Sequence, residues 1–545
     1  MVAVGASAIL IPLALTHGKS GASPSPSAIA DITASPDLTT GPSARPTATA
    51  ADTPEATPTD TPTDGPTPAS TAGALTAKGF PVKWQVPTSL IGVGPDGTSY
   101  FSDGIDWHIV DSSGHEKARP QSDPGDGGPT NVAEDGTLYA LISAPDGGSS
   151  VAAWNADGSL RYHSEPGDYD WIVDGPEGRL YTFGGGGLTV FDHNGSVVSR
   201  ANMNPGSKCD TRSGWSVSAT GGAALMCEPA IGLDQSGALI ASLGGLNSDT
   251  PVEFSLDDGE SLGNIAIFDS KGHFVGFSPD QWNGFAFTPS GSIIALRFKF
   301  AGQERMDPIT ETTVALLDSK GKVAPGWPVK FEAAASLPTT APDGTIYMAV
   351  GSEETSSGRI LALGRDGKAK SGWPITLPVG TWPRGAQGTV AHYYPASPVL
   401  AWNGSVLEVV QHANKADAIV GFGPDGSQLA GWPVTLPGNV TPLFVGQCID
   451  WGCPTYSPPL FVAKPDGALL YVHVGQSILA IQQNGDVAKG WPKAALTIAG
   501  HSDVYFNFTF WKAMPDGGLI TVQETDDESY DFPMYRWRPD GSLYK

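Results

Sequence analysis

The chain has 545 residues, and its 56 Asp and Glu outnumber 31 Lys and Arg, which gives a formal net charge of −25 at pH 7. A surface this acidic repels nucleic acid and anionic lipid, and no basic patch interrupts it, so we exclude a nucleic-acid partner. The 69 Gly and 47 Pro favour tight turns and short strands over helices.

Residues 1–19 contain an uncharged apolar run from Val2 to Leu15. A spanning helix needs roughly 20 residues, so this run is short for one, but it suits the apolar core of a signal peptide. No Lys or Arg precedes the run, and Ala28-Ile29-Ala30 lies well downstream of it. We expect a signal peptide or an uncleaved membrane anchor, and hence an extracytoplasmic protein that meets the membrane only through this segment.

Residues 20–78 have a different composition, with repeated Thr-Pro steps and no Phe, Trp or Tyr. Such a segment buries too little apolar surface to offset its conformational entropy. We therefore predict a disordered Pro/Thr/Ala/Ser-rich stalk that spaces a domain from a membrane or wall. The first aromatic residue is Phe80, and we place the start of the folded domain at Gly79.

Residues 79–545 repeat a pair of turn signals, each flanked by short apolar runs. The first turn is Pro-Asp-Gly or a variant, at Pro95-Asp96-Gly97, Glu134-Asp135-Gly136, Pro176-Glu177-Gly178, Gln235-Ser236-Gly237, Pro289-Ser290-Gly291, Pro342-Asp343-Gly344, Trp402-Asn403-Gly404, Pro465-Asp466-Gly467 and Pro515-Asp516-Gly517. The second turn begins at Asp111, Asp157, Asp192, Asp269, Asp318, Asp366, Asp425, Asn484 or Asp540. In such turns Pro fixes φ near −65° and Gly accepts a positive φ where the chain enters the next strand.

Each unit therefore supplies two hairpins, which form one four-stranded antiparallel sheet. Nine units of about 52 residues fill this region, and four-stranded units of this period are typical of propeller blades. We predict an all-β chain folded as a single β-propeller of eight or nine blades.

Four units contain Gly-Trp-Pro, with the tryptophans at positions 327, 373, 432 and 491. Because Pro cannot donate to a ladder, we expect the motif to mark the outermost strand of a blade. We expect Trp327, Trp373, Trp432 and Trp491 to pack between neighbouring blades. A similar segment, Gly79-Phe80-Pro81-Val82-Lys83, precedes the first unit, and as an outer strand it would complete the last blade and close the ring.

The segment Ala315-Leu316-Leu317-Asp318-Ser319-Lys320-Gly321-Lys322, followed by Trp327, resembles the repeat of quinoprotein-like (PQQ-like) β-propellers. The resemblance covers the propeller region and implies the fold, with little chemistry. Quinone-dependent dehydrogenases of that family carry an adjacent Cys–Cys pair or a recognisable calcium and catalytic Asp arrangement, which we do not find here. The non-catalytic, extracytoplasmic members are the nearer analogy, and we predict no cofactor.

The four cysteines, Cys209, Cys227, Cys448 and Cys453, are even in number in a chain with export features. This predicts two local disulfides, Cys209–Cys227 and Cys448–Cys453. Free buried thiols are the alternative, and the spacing fits a structural zinc site poorly.

No catalytic or metal-binding motif stands out, since the ten His are scattered without metal-ligand spacing. Propellers usually bind through the loops that connect their blades. On such loops His392, Tyr393, Tyr394 and Trp451 are candidate ligand-rim residues. The sequence predicts a binding or scaffold module whose partner is a protein or a glycan, and the alternative is a quinone-dependent dehydrogenase or a polysaccharide-acting enzyme.

Overall fold

The computed structural model describes part of the unit Ala72–Lys545. The described residues are 89–102, 107–113, 115–117, 130–133, 135–144, 147–169, 171–184, 187–202, 212–217, 223–227, 231–233, 239–241, 265–278, 280, 282, 284–301, 309–352, 356–386, 394–413, 415–438, 443–444, 456–457, 460–462, 469–475, 477–496, 504–514, 516–525 and 534–543. The predicted signal peptide or anchor, the stalk and the closing strand at 79–83 lie outside them.

The described residues are β-strands and their connections, with two short 3-10 turns at Pro176–Gly178 and Trp402–Gly404. This confirms the prediction of an all-β chain. In this part of the chain no helix has the length and apolar character needed to cross a membrane.

The strands form nine main sheets, numbered here in chain order. Sheet 1 contains β1 (Ser89–Val93), β2 (Ser99–Ser102) and β3 (Trp107–Val110). Sheet 2 contains β4 (Thr130–Val132), β5 (Leu138–Ser143), β6 (Ser149–Trp154) and β7 (Leu160–His163). Sheet 3 contains β8 (Trp171–Asp174), β9 (Leu180–Gly184), β10 (Gly187–Phe191) and β11 (Val197–Asn202). Sheet 4 contains β12 (Arg212–Val217), β13 (Ala223–Cys227), β16 (Ile265–Phe268) and β17 (Phe274–Phe277). Sheet 5 contains β14 (Ile231–Leu233), β15 (Leu239–Ala241), β18 (Gly284–Phe287), β19 (Ile293–Phe300), β20 (Ile309–Leu317) and β21 (Val329–Phe331).

The remaining sheets follow the same sequential order. Sheet 6 contains β22 (Thr339–Thr340), β23 (Ile346–Ser352), β24 (Ser357–Leu363) and β25 (Ile375–Thr376), and sheet 7 contains β26 (Thr381–Pro383), β29 (Val399–Leu400), β30 (Val406–His412), β31 (Lys415–Phe422) and β32 (Val434–Thr435). Sheet 8 contains β35 (Leu460–Val462), β36 (Leu469–Val474), β37 (Ser477–Gln482) and β38 (Lys493–Ala494), and sheet 9 contains β39 (Val504–Ala513), β40 (Leu519–Thr525) and β41 (Met534–Trp537). Two further hairpins stand apart, β27 (Gly385–Ala386) with β28 (Tyr394–Pro395), and β33 (Leu443–Phe444) with β34 (Tyr456–Ser457).

The turn signals form the hairpins that the sequence predicts, with one exception. The signal Gln235-Ser236-Gly237 was expected to be the first turn of the fourth unit, but it falls between β14 and β15 of an inserted hairpin, and the first hairpin of sheet 4 is β12–β13. A Gly-containing turn between two apolar runs specifies a hairpin, and it does not specify which sheet that hairpin joins. At Pro342-Asp343-Gly344, the Gly344 amide donates to the Ala341 carbonyl at 2.8 Å, and Gly344 has φ +83°. The Asp343 carboxylate accepts from the Thr345 amide and from Lys370 Nζ, at 2.9 and 3.0 Å. Hydrogen bonds from Thr345 and Lys370 lower the pKa of Asp343 to about 2. The repeated Asp therefore has a structural role as the acceptor that closes the turn.

Each sheet packs on the next through a hydrophobic cluster. In the described residues eight such clusters join sheets 1 and 2, 2 and 3, and so on to sheets 8 and 9. The first strands of several consecutive sheets also contact each other, and β39 of sheet 9 contacts β1 of sheet 1. At that junction an Arg536 guanidinium nitrogen donates to the Ser112 carbonyl. The last sheet therefore contacts the first.

The Gly-Trp-Pro segments connect consecutive sheets. Each lies just before the last strand of its sheet, and each Trp side chain is at most 8% exposed. The four indole nitrogens donate to carbonyls in the second turn of the following sheet: Trp327 to Arg365, Trp373 to Pro424, Trp432 to Gln483 and Trp491 to Pro539, at 2.9–3.1 Å. Every Trp–Pro bond in these segments is cis. We call this arrangement the tryptophan clasp.

The glycine of a clasp lies against the turn of the next sheet. Gly431 has φ +85°, and a Cβ added there would lie 1.9 Å from the Asn484 carbonyl oxygen. We expect Gly431→Ala to lower the free energy of unfolding by about 1–3 kcal/mol more than Gly380→Ala. Gly380 is a matched control, because its φ is +77° and an added Cβ would meet nothing within 4 Å. Urea unfolding measures both, and equal losses would show that only the backbone conformation requires glycine.

Candidate functional site: the inserted hairpins

In a sequential four-stranded sheet the first and third turns lie at one end and the middle connection at the other, which we call the loop end. Two inserted hairpins depart from the loop end, and a third leaves its sheet from within the first strand. The hairpin β14–β15 comes from the connection between β13 and β16 and pairs in parallel with β18, and β33–β34 connects sheet 7 to sheet 8. The third hairpin, β27–β28, interrupts the first strand of sheet 7 between β26 and β29.

The inserted hairpins contact strands of the main sheets or each other. Strand β34 contacts β15, β33 contacts β39, and β28 contacts β23, the second strand of sheet 6. Since β14 pairs with β18 and β33 contacts β39, two of the three insertions lie beside the first strand of a sheet. The insertions form the most irregular part of an otherwise repetitive fold, and irregular connections on a rigid scaffold are where binding residues concentrate.

The residues predicted from sequence map onto these connections. Tyr394 begins β28, and Cys227 ends β13. The side chains of both residues are outside the described part of the structure, as are His392, Tyr393, Trp451, Cys209, Cys448 and Cys453. The predicted rim contacts and both disulfides therefore stay predictions.

Arg384 holds the root of the hairpin β27–β28. Its amide donates to the Val409 carbonyl and its carbonyl accepts from the Ala396 amide, both at 2.8 Å. Its guanidinium forms an ion pair with Asp417 of β31, and the two side chains are 8% and 0% exposed. A buried ion pair fixes one arrangement, because either charge alone would be costly in this interior. The sequence analysis did not single out either residue, since they are 33 positions apart.

Glu408 is a buried carboxyl on β30 next to the same root. It is 1% exposed, and neither carboxyl oxygen has a hydrogen-bond partner among the described residues. Burial raises the pKa of Glu408 well above its usual range, and the Val409 backbone offsets this only in part. A single acidic residue within the apolar run Val406–Val410 was the available sequence signal, and sequence reasoning missed it.

Two further polar side chains are buried between sheets 8 and 9. Burial lowers the pKa of His473 on β36 to about 4, so its imidazole is neutral at pH 7. Gln523 on β40 is 0% exposed, and its amide has no hydrogen-bond partner in the described part of the chain. Perturbed buried groups are typical of functional sites, although here they lie within sheet interfaces.

No group of three or more His, Cys, Asp or Glu side chains that could hold a metal ion occurs among the described residues. The carboxylates of the turns instead accept backbone hydrogen bonds, as Asp318 does from the amides of Lys320 and Lys322. The described geometry thus offers hairpin surfaces and buried polar groups. It also brings two hydroxyls to an imidazole nitrogen, Ser150 Oγ to His163 Nε2 at 3.2 Å and Thr381 Oγ1 to His412 Nδ1 at 3.0 Å.

The described residues define an all-β protein of consecutive packed sheets with three inserted hairpins. No family model and no curated protein matches the chain. Among solved structures, Porphyromonas gingivalis dipeptidyl peptidase 4 is 9% identical with a TM-score of 0.43, over 81% of this chain and 65% of that one. The Dos1 propeller is 12% identical with a TM-score of 0.36 over 73% and 93%, respectively. A eukaryotic initiation factor is 11% identical with a TM-score of 0.36 over 74% and 93%. Similarities this weak assign no activity to the chain.

Proposed function

We propose that residues 79–545 form a nine-bladed β-propeller that binds a protein or glycan outside the cytoplasm. Support comes from the nine sheets, from the cluster between each consecutive pair, and from the contact of β39 with β1. The resemblance to non-catalytic quinoprotein-like propellers rests on the Asp318–Trp327 repeat and agrees with this proposal.

The first and last blades of this propeller are joined by the N-terminal segment. Sheet 9 has three described strands, whereas sheets 6 and 8 have four. Gly79-Phe80-Pro81-Val82-Lys83 resembles Gly326-Trp327-Pro328-Val329-Lys330, which leads into the last strand of sheet 5. As an outer strand on β41, the N-terminal segment completes the ninth blade.

The ligand binds on the inserted hairpins. The observation that carries this is their position: three hairpins interrupt an otherwise regular repeat, and two of them lie beside the first strand of a sheet. The proposed anchors are the rim residues predicted from sequence, Tyr394 in β28 and Trp451 in the sequence between β33 and β34, because aromatic side chains suit stacking on sugar rings or anchoring a protein partner.

We expect Tyr394→Ala and Trp451→Ala each to weaken binding at least tenfold, since central aromatic anchors carry about 2 kcal/mol or more. The measurement is binding of the full chain to an array of cell-envelope polysaccharides and to immobilised envelope proteins, followed by titration of the best probe. Val198→Ala is the control, because Val198 is 50% exposed on the last strand of sheet 3. Unchanged affinity in both aromatic variants would show that the inserted hairpins are not the binding surface.

An enzyme on the same fold is the second candidate, and the perturbed pKa values of Glu408 and His473 favour it. Its quinone-dependent form predicts a bound chromophore and a thermal stabilisation of several degrees when quinone and calcium are added. Its polysaccharide-acting form predicts turnover of a glycan on the array. A colourless protein that turns over no glycan would contradict both enzyme candidates, and the binding module would remain.

A further inference from the structure

Glu408 lies at the point where the first strand of sheet 7 is interrupted. On one side of it, Val406 and Leu407 pair with β29, and on the other, Val410 pairs with Pro383 of β26. The hairpin β27–β28 leaves the sheet between these two segments. Glu408 therefore has a strand partner only on its other side, where it pairs with Val420 of β31.

The Glu408 side chain faces the interface between sheets 6 and 7. Side chains alternate along a strand, and its neighbours on the same face, Val406 and Val410, pack in one cluster with Ile360 and Ala362 of sheet 6. The structurally equivalent residue of sheet 6 is Met348, which is also fully buried and pairs with Leu361 as Glu408 pairs with Val420. Sheet 7 thus has a carboxyl where its neighbour has an apolar side chain.

No described group is placed to balance a charge on Glu408. The titratable or charged residues of the packed elements are Tyr347 on β23, Arg359 on β24, His412 on β30, Lys415 and Asp417 on β31, and Arg384 after β26. Arg359 and Lys415 are exposed, and His412 bonds to Thr381. Arg384 and Asp417 pair with each other, and they align with Val409 and Ile419, which pack against sheet 8.

We propose that Glu408 is a proton-controlled lock on the root of the hairpin β27–β28. The protonated side chain lets sheets 6 and 7 close over it. When it loses its proton, the interrupted first strand opens and water reaches the carboxylate, because an unpaired charge is not stable in an apolar interface.

The direction of the pH dependence follows from linkage. In the closed state the pKa of Glu408 lies well above the usual Glu range, whereas in the open, hydrated state the carboxyl loses its proton near the ordinary value of 4.5. Opening therefore releases one proton between these two pKa values, so the open population rises about tenfold per pH unit. The closed state is most stable at acidic pH and loosens as the pH rises.

Hydrogen exchange of the full chain between pH 5.5 and 7.5, corrected for intrinsic amide rates, tests the lock. Protection of amides in Val399–His412 is expected to fall as the pH rises, by up to about tenfold per pH unit for as long as the closed state keeps its proton. In the variants Glu408→Gln and Glu408→Met, the second of which copies Met348, this protection should no longer depend on pH. Glu311→Gln, which changes a carboxyl of sheet 5 paired with Lys330, should keep the slope. Amides of β9 in sheet 3 serve as the internal reference.

Three outcomes would overturn the lock. A flat profile in the unmodified chain would show that no proton is released on opening. An equal slope in both Glu408 variants would assign the proton to another group. An equal slope in β9 would show global unfolding rather than opening at sheet 7. Two non-ionisable variants keep the test valid if one of them fails to fold.

Discussion

Replacing Trp432 with alanine is expected to lower the free energy of unfolding by about 3–5 kcal/mol, the usual cost of deleting a buried large aromatic side chain. Trp432 is 5% exposed and packs in the cluster between sheets 7 and 8, with its ring centroid 6.3 Å from that of Trp402. Its indole nitrogen also donates to the Gln483 carbonyl of sheet 8 at 2.9 Å. The deletion removes packing and a hydrogen bond between two sheets at once.

Two variants separate these contributions. Trp432→Phe keeps an aromatic ring but loses the hydrogen bond. We expect the free energy of unfolding to fall by about 1 kcal/mol for the lost bond, plus the cost of the smaller ring. Val198→Ala, at a side chain that is 50% exposed, should change stability by less than about 0.5 kcal/mol. Chemical denaturation gives all three values. A Trp432→Ala loss no larger than that of Val198→Ala would contradict the role of the clasp.

Replacing Arg384 with methionine is expected to cost about 3–5 kcal/mol, because it leaves the Asp417 carboxylate buried without its counter-ion. Asp417 is fully buried on β31, and Arg384 at the start of the inserted hairpin is buried as well. The loss should be concentrated at the root of the hairpin, since the Arg384 backbone also bonds to Val409 and Ala396. Hydrogen exchange of β30 reports that local effect alongside global unfolding.

A double-mutant cycle tests the pairing itself. Asp417→Asn should also be destabilising, whereas the combination Arg384→Met with Asp417→Asn removes both charges and should cost less than the sum of the single losses. The expected coupling is about 1–3 kcal/mol. Additive losses would mean that the two side chains act independently and that backbone bonds alone hold the hairpin.

The sheets could be predicted from sequence because hairpin formation is local. The residues of a turn such as Pro342-Asp343-Gly344 specify its conformation by themselves. Pro fixes its own φ, Asp accepts the hydrogen bond of the Thr345 amide, and Gly takes the positive φ. These signals recur in pairs, so most hairpins of the main sheets follow from the spacing. The three inserted hairpins do not, and the Gln235-Ser236-Gly237 signal belongs to one of them. The all-β class and the blade-like units were predictable for that reason.

The candidate site was predictable only at the level of connections. Tyr394 lies in an inserted hairpin and Cys227 ends the strand before another one, because breaks in a repeat are visible in sequence. Glu408 and Arg384 were missed. The apolar run Val406–Val410 around Glu408 was the one available signal, and nothing near Arg384 in sequence points to its partner Asp417. Burial depends on which sheet packs against which, and that is a property of distant contacts.

The sequence alone determined the turns, the strands between them, and the Gly-Trp-Pro segments, since each depends on residues a few positions apart. Only the tertiary structure decided the acceptor of each clasp indole, the ion pair between Arg384 and Asp417, and the isolation of Glu408. Those features join residues from different strands or sheets. They arise when packing excludes water, so that each polar group must find its partner inside the protein or remain without one.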